Sequence, residues 1–220
     1  VIQPKSGYVY NANHTPFRSS DSLDNPNKDA FSKNMGFETY DNNRSTRLKE
    51  LIDQYDKVSY SDFKTIKYDR KYPKPYAFSW MDINHLDRIN PKAYPDIQEL
   101  IVSLQTWDRK ADANSIGAGV FAVFYAQLRP YYYQLPPPKI VPPTTLVKAL
   151  RDTKNYLLKH FNTIEIKLGD YQKLVRGSKE FAIFGLPDVI TAMAAQPFKD
   201  GKVKVVSGES YIELVRFSKA

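Results

Sequence analysis

Two side chains near the start of the chain have the chemistry to stabilise a developing oxyanion. Asn13 closes an apolar run that begins at Gly7, and Arg44 precedes a short amphipathic segment that ends at Ile52. A carboxamide at the end of a strand can donate a hydrogen bond to negative charge developing on an acyl oxygen. A nearby guanidinium can hold that amide in one orientation, because its planar donors have a fixed geometry. The pair is therefore a candidate for holding and donating to a developing oxyanion.

The elements that would position this pair follow from hydrophobic patterning. Residues 7–13 alternate in a way that predicts a buried strand leaving its sheet at Asn13. Leu48, Leu51, Ile52 and Tyr55 are spaced by three, one and three positions, as on the apolar face of a helix, so residues 45–55 are predicted to be helical. The connection between these elements is rich in Ser, Asp, Asn and Gly and predicts a long surface loop.

Simpler roles for both side chains stay open at this level. An asparagine at a strand end commonly caps its own backbone in a turn, and an arginine ahead of a helix is commonly a solvated charge. His14 lies next to Asn13, but we expect it on the surface. The three histidines of the chain lack the spacing of a metal site, and there is no G-x-S-x-G nucleophile elbow.

The order of motifs along the chain resembles the β-chain of the penicillin acylase family of N-terminal-nucleophile amidohydrolases. The opening G-Y-x-x-N-x-N-x-x-P pattern is followed by an arginine and a short helix. Three later segments are also similar to the family: LQTWDRKADANSIGAGVFAVF at 104–124, LGDYQKLVRGSKEFAIFGLPDVI at 168–190 and GESYIELVRFS at 208–218. The greatest similarity is to acylases that act on fatty-acyl amides, such as acyl-homoserine lactone acylases.

The resemblance implies hydrolysis of a linear amide. In that family the second Asn of N-x-N donates to the oxyanion and the arginine supports it, which corresponds to Asn13 and Arg44. The nucleophile is a serine at the free N-terminus of the β-chain, with its own α-amine as base. This chain begins with Val1. We therefore expect residues 1–220 to be the C-terminal portion of a β-chain, inactive alone.

The expected partners are the rest of the acylase precursor, namely the α-chain and the N-terminal half of the β-chain, and a small-molecule acyl amide such as a β-lactam side chain or an acyl-homoserine lactone. The resemblance also implies a periplasmic or secreted protein. The alternative function is a non-catalytic binding module that retains the acylase fold. A third candidate is an interaction domain built around the Pro-rich residues 131–143.

The predicted fold is α+β and forms part of an αββα N-terminal-nucleophile hydrolase fold. Residues 1–43 would supply a strand and a cleft loop, residues 44–165 a helical lobe, and residues 166–220 the return to the sheet. The end strands are expected to share one sheet. The remaining predicted elements are a helix capped by Ser59 with Phe63 and Ile66 inward, helices at 96–110 and 115–129, a helix capped by Thr144 or Thr145 that ends near Phe161, and a hairpin of 203–206 with 210–217.

Composition narrows the function classes. The 220 residues carry 32 basic and 24 acidic side chains, but the net charge of +8 is scattered, so no nucleic-acid partner is expected. There is no cysteine for a disulfide or thiolate site, and no apolar run long enough for a membrane span. The resembled family often binds calcium, but Asp21, Asp24 and Asp29 lack the cadence of a calcium loop. No calcium ligand can be assigned, and we expect no metal and no cofactor.

Overall fold

The computed structural model describes residues 1, 3–132, 139–209 and 211–217. Six α-helices and four β-strands are formed in these residues, in addition to short 3₁₀ turns. The helices are α1 (Asn43–Ile52), α2 (Tyr60–Lys67), α3 (Gln98–Thr106), α4 (Ile116–Tyr132), α5 (Pro143–Phe161) and the single turn α6 (Leu168–Tyr171). The strands are β1 (Gln172–Arg176), β2 (Lys179–Ala182), β3 (Met193–Pro197) and β4 (Val203–Gly208). The predicted α+β class is confirmed.

The core forms around α4, which is apolar on nearly every side and packs against α3 and α5. Its residues Phe121, Phe124 and Leu128 are at most 1% exposed. The apolar side chains along α3 and at its two ends are also buried, and they are Ile97, Leu100, Ile101, Leu104 and Trp107. Burial of these large side chains provides the main driving force for this part of the fold.

One glycine of α4 allows a close approach that no other residue would permit. A Cβ on Gly119 would lie 2.0 Å from the carbonyl oxygen of Ile166. Residues 162–167, which connect α5 to α6 and are called the strap below, cross the first turn of α4. At this crossing the Leu168 amide donates to the Ser115 carbonyl at 3.0 Å. The strap leads directly into α6 and β1, so this contact joins the helices to the sheet.

The single sheet of the described residues has the order β2-β1-β4-β3. The β1–β2 hairpin turns at Gly177, which has φ +58°, a conformation that glycine adopts without strain. β4 runs parallel to β1 and antiparallel to β3, and the β3–β4 ladder is interrupted by a bulge at Ala194 and Ala195. The two-sheet layering of the predicted αββα fold is not formed within the described residues.

The predicted end strands are wrong for the described residues. Residues 7–13 and 211–217 adopt no strand, and the sheet instead lies wholly between Gln172 and Gly208. An alternating pattern becomes a strand only when a neighbouring strand supplies the ladder. Neither segment pairs in a ladder with the described residues, and Val9 and Phe217 remain 60% and 91% exposed. The 203–206 strand is confirmed as β4, but its antiparallel partner is β3.

One of the two predicted helix caps is confirmed and the other is wrong. Ser59 caps α2 as expected, in a reciprocal pair with Asp62. Ile66 is buried, whereas Phe63 is 43% exposed and does not face the core. α5 begins at Pro143 with no side-chain cap, so the predicted threonine cap is wrong. Proline is well suited to that first position because it needs no amide partner there. Residues 133–138 of the Pro-rich segment lie outside the described residues.

Candidate oxyanion-stabilising site

Asn13 lies in a tight turn of residues 11–14. Its φ of +55° is left-handed, a conformation that Asn tolerates better than most residues. The Asn13 amide donates to Asn11 Oδ1 at 2.8 Å, so Asn11 caps this turn and Asn13 does not. The simpler turn-capping role considered for Asn13 is therefore filled by Asn11.

The N-terminus of α1 holds the backbone of this turn from the other side. Asn42 caps α1 by accepting from the Ser45 amide at 2.9 Å, and its own amide is bound in return by Ser45 Oγ. The Nδ2 group of Asn42 donates to the carbonyl oxygens of Ala12 at 2.7 Å and Asn13 at 3.2 Å. Because Asn42 is only 3% exposed, the turn is attached to the helix by a buried amide.

Arg44 connects the Asn13 side chain to a distant carboxylate. Its Nη1 donates to Asn13 Oδ1 at 3.1 Å, and its Nε donates to Asp188 Oδ1 at 3.1 Å. Arg44 lies at the second position of α1, which begins two residues earlier than the predicted helix start at residue 45. Its side chain is 28% exposed and paired, so the structure rules out the role of a freely solvated charge.

The contacts of Asn13 leave one polar group unused. Its backbone amide donates to Asn11, its backbone carbonyl accepts from Asn42, and its side-chain Oδ1 accepts from Arg44. Within the described part of the chain, Nδ2 makes no hydrogen bond. Donation from Arg44 to Oδ1 also polarises the amide, which strengthens Nδ2 as a donor. The exposed side chain therefore presents a single oriented donor to an acceptor.

Asp188 is held by a dense set of donors. The backbone amide and Nδ2 of Asn43 donate to its Oδ2 at 3.0 and 2.9 Å, and Asn43 Oδ1 accepts from the Ala77 amide at 2.7 Å. Burial raises the pKa of the Asp188 carboxyl, while the hydrogen bonds from Asn43 and Arg44 act to lower it. The preceding carbonyl, of Pro187, accepts from the buried Tyr72 hydroxyl at 2.5 Å, which ties this residue to the core.

Two of the spaces that adjoin this network differ in how enclosed they are. An open groove of about 550 Å³ is lined by Asn13 together with apolar side chains that include Val9, Pro16 and Phe37. A more enclosed, mainly apolar cavity of about 340 Å³ lies between α4, α5 and the sheet and reaches Pro187, next to Asp188. The first can admit a polar group to Asn13, and the second can accept an apolar body.

The acidic residues of the 18–43 loop have structural contacts. Asp24 accepts from the amides of Lys5 and Ser6, and this lowers its pKa. Asp21 caps the next 3₁₀ turn. No group of three or more His, Asp or Glu side chains with the arrangement of a metal site occurs in the described ranges. No helix in those ranges has the length and apolar character needed to cross a bilayer.

The sequence predicted the pairing of Asn13 with Arg44, and the structure brings the two into contact. No role was predicted for Asn42, Asn43 and Asp188, which hold the pair in place. A signal for Asp188 was present, since the GLPD stretch within the 168–190 segment ends at this residue, but nothing local shows which partner its carboxylate meets. The expectation for His14 was wrong, because it is 4% exposed and not on the surface.

The family model described as penicillin amidase matches residues 1–220. No curated protein matches the chain.

Proposed function

The chain belongs to the penicillin amidase family, and from this membership we propose that it supplies the side-chain oxyanion donor, Asn13, of an N-acyl amidohydrolase. The family points to an acylase-type hydrolase for the intact protein. The reaction would be hydrolysis of the amide of an acylated amine, such as a β-lactam side chain or an acyl-homoserine lactone.

The observation that carries the proposal is that Asn13 Nδ2 is bound by no group of the described residues, while Arg44 holds Oδ1 of the same carboxamide. An oxyanion donor must be oriented before the reaction, because reorganisation during the reaction would cost part of the stabilisation. The Asp188–Arg44–Asn13 chain supplies that orientation from groups fixed to α1 and to the core. Arg44 is a positioning residue in this scheme, since it acts through Asn13.

We place the nucleophile outside the described residues. Ser19 lines the groove beside Asn13, but its hydroxyl contacts the Thr15 carbonyl at 3.5 Å and no base within the described ranges. His14 has both ring nitrogens engaged by backbone groups and cannot act as a base in this arrangement. We therefore propose that the remainder of an acylase precursor provides the attacking group, that the present chain alone is inactive, and that the assembled enzyme is periplasmic or secreted.

The test is replacement of Asn13 by Ala in the intact acylase. Loss of one oxyanion donor typically lowers kcat by about 10²–10³ and changes KM much less. Asn34→Ala is the matched control, because Asn34 is an exposed amide of the surface loop. Near-normal turnover of a folded Asn13→Ala variant would contradict the assignment and favour a non-catalytic binding module.

A further inference from the structure

His14 is a buried histidine in the turn that carries Asn13, and its ring contacts residues before, within and after that turn. Its ring is stacked on Tyr10, with the centroids 4.9 Å apart. One nitrogen faces the Ala12 amide at 3.2 Å and the other faces the Arg18 carbonyl at 3.0 Å. One imidazole therefore contacts both the start of the turn and the chain that leaves it.

These two partners determine the tautomer. The Ala12 amide is a donor, so Nδ1 of His14 must be the unprotonated acceptor. Nε2 then carries the hydrogen and donates to the Arg18 carbonyl. The ring is thus neutral, fully hydrogen-bonded and enclosed, with 4% of its surface exposed.

From this geometry we propose that His14 is a positioning residue for the Asn13 donor; the inference rests on the proposed function. Both backbone groups of Ala12 are hydrogen-bonded, since the amide donates to His14 and the carbonyl accepts from Asn42. Asn13 follows immediately, in a left-handed conformation that the surroundings must maintain. Loss of the Nδ1 acceptor releases the Ala12 amide and lets the Asn13 side chain rotate away from Arg44.

Two conservative substitutions distinguish the hydrogen bond of Nδ1 from that of Nε2. The Oδ1 of asparagine stands the same number of bonds from Cβ as Nδ1 of histidine, so His14→Asn keeps an acceptor for the Ala12 amide. The Nε2 of glutamine corresponds to Nε2 of histidine, so His14→Gln keeps the donor to Arg18 and loses that acceptor. Both variants remove the ring, and they are therefore matched for the loss of stacking on Tyr10.

The experiment measures kcat and KM of the intact acylase for His14→Asn, His14→Gln and Asn13→Ala. Small misplacements of a reacting group can cost up to about a hundredfold in rate. We expect His14→Gln to lower kcat by about tenfold to a hundredfold with KM little changed, and His14→Asn to recover most of the loss. In His14→Gln, the Ala12 amide should also exchange its hydrogen with solvent faster than in His14→Asn.

The outcomes separate the two ideas. If Asn13→Ala lowers kcat and both folded His14 variants behave like the unmodified enzyme, the positioning role is overturned while the proposed function stands. Equal losses in His14→Asn and His14→Gln would also overturn it, because ring packing and not the acceptor would then be responsible. If Asn13→Ala leaves kcat unchanged, the proposed function fails first, whatever the His14 variants do.

Discussion

Arg44 Nη1 lies 3.1 Å from Asn13 Oδ1, and the same guanidinium reaches Asp188 Oδ1 through Nε. The three residues are separated by 31 and 144 positions along the chain. The contact joins a turn, the first turn of α1 and a segment beside the sheet. Orientation of the Asn13 amide is therefore a property of the assembled fold and not of the turn alone.

Arg44→Lys tests whether the forked geometry matters. A lysine ammonium is a single point donor and cannot reproduce the pair of directed contacts made by Nε and Nη1. We expect kcat of the intact acylase to fall, but by less than in Asn13→Ala, because the donor itself remains. The double variant Asn13→Ala/Arg44→Lys should be no slower than Asn13→Ala, as residues acting through one another are not additive. Additive losses would show that Arg44 acts independently of Asn13.

Asn42 has two roles, as the cap of α1 and as the donor to the Ala12 carbonyl, and substitutions can distinguish them. Asn42→Ala removes the cap of α1 and the tether to the turn, and the cap alone is worth about 1 kcal/mol. Asn42→Ser keeps a good capping oxygen but is too short to reach the Ala12 carbonyl. Urea unfolding should therefore show a smaller stability loss for Ser than for Ala, whereas kcat of the intact acylase should fall similarly in both. Normal turnover of Asn42→Ser would separate the tether from catalysis.

Asp188 provides a pH-dependent readout of the same network. Because Arg44 lowers the pKa of this carboxyl against the dominant effect of burial, Arg44→Leu should raise that pKa further. A carboxyl whose folded pKa lies above its unfolded value contributes stability that is fully present below the unfolded value and is lost as pH rises through the folded value. The variant should thus lose more stability at neutral pH than at about pH 3.5.

Carboxyl ¹³C shifts titrated by NMR would report the pKa of Asp188, and urea unfolding at the two pH values would report stability. Arg18→Leu is the control, since Arg18 pairs with Asp41. A lower pKa for Asp188 in Arg44→Leu would contradict the assigned ion pair.

Gly119→Ala tests the junction between the helices and the sheet. A methyl group at this position would lie 2.0 Å from a backbone oxygen, and a backbone strap cannot move aside as a flexible side chain can. We expect a loss of about 3 kcal/mol in unfolding free energy, at the upper end of overpacking effects. Ala126→Ser, on the exposed side of α4, should change stability little. A tolerated Gly119→Ala would mean that the strap does not cross α4 as described.

Much of the helical part could be predicted from sequence, because amphipathic helices carry their evidence locally. The 3.6-residue spacing of buried side chains in α3 and the capping pair of Ser59 and Asp62 are set by residues within a few positions of one another. The strands were harder. Residues 7–13 alternate as a strand should, yet whether they join a sheet depends on a partner elsewhere, and the described residues supply none.

The sequence alone determined that a carboxamide and a guanidinium of the right types flank a loop, and that the following segment is a helix. It could not decide that Asp188 would meet Arg44, or that Asn42 and His14 would bind the carbonyl and the amide of Ala12. Nor could it decide that Asn13 Nδ2 would have no partner among the residues that the structure describes. Those contacts link residues far apart in the chain. Only the packed tertiary structure brings such groups within hydrogen-bonding distance, because hydrogen bonds depend on distance and direction in space and not on separation along the backbone.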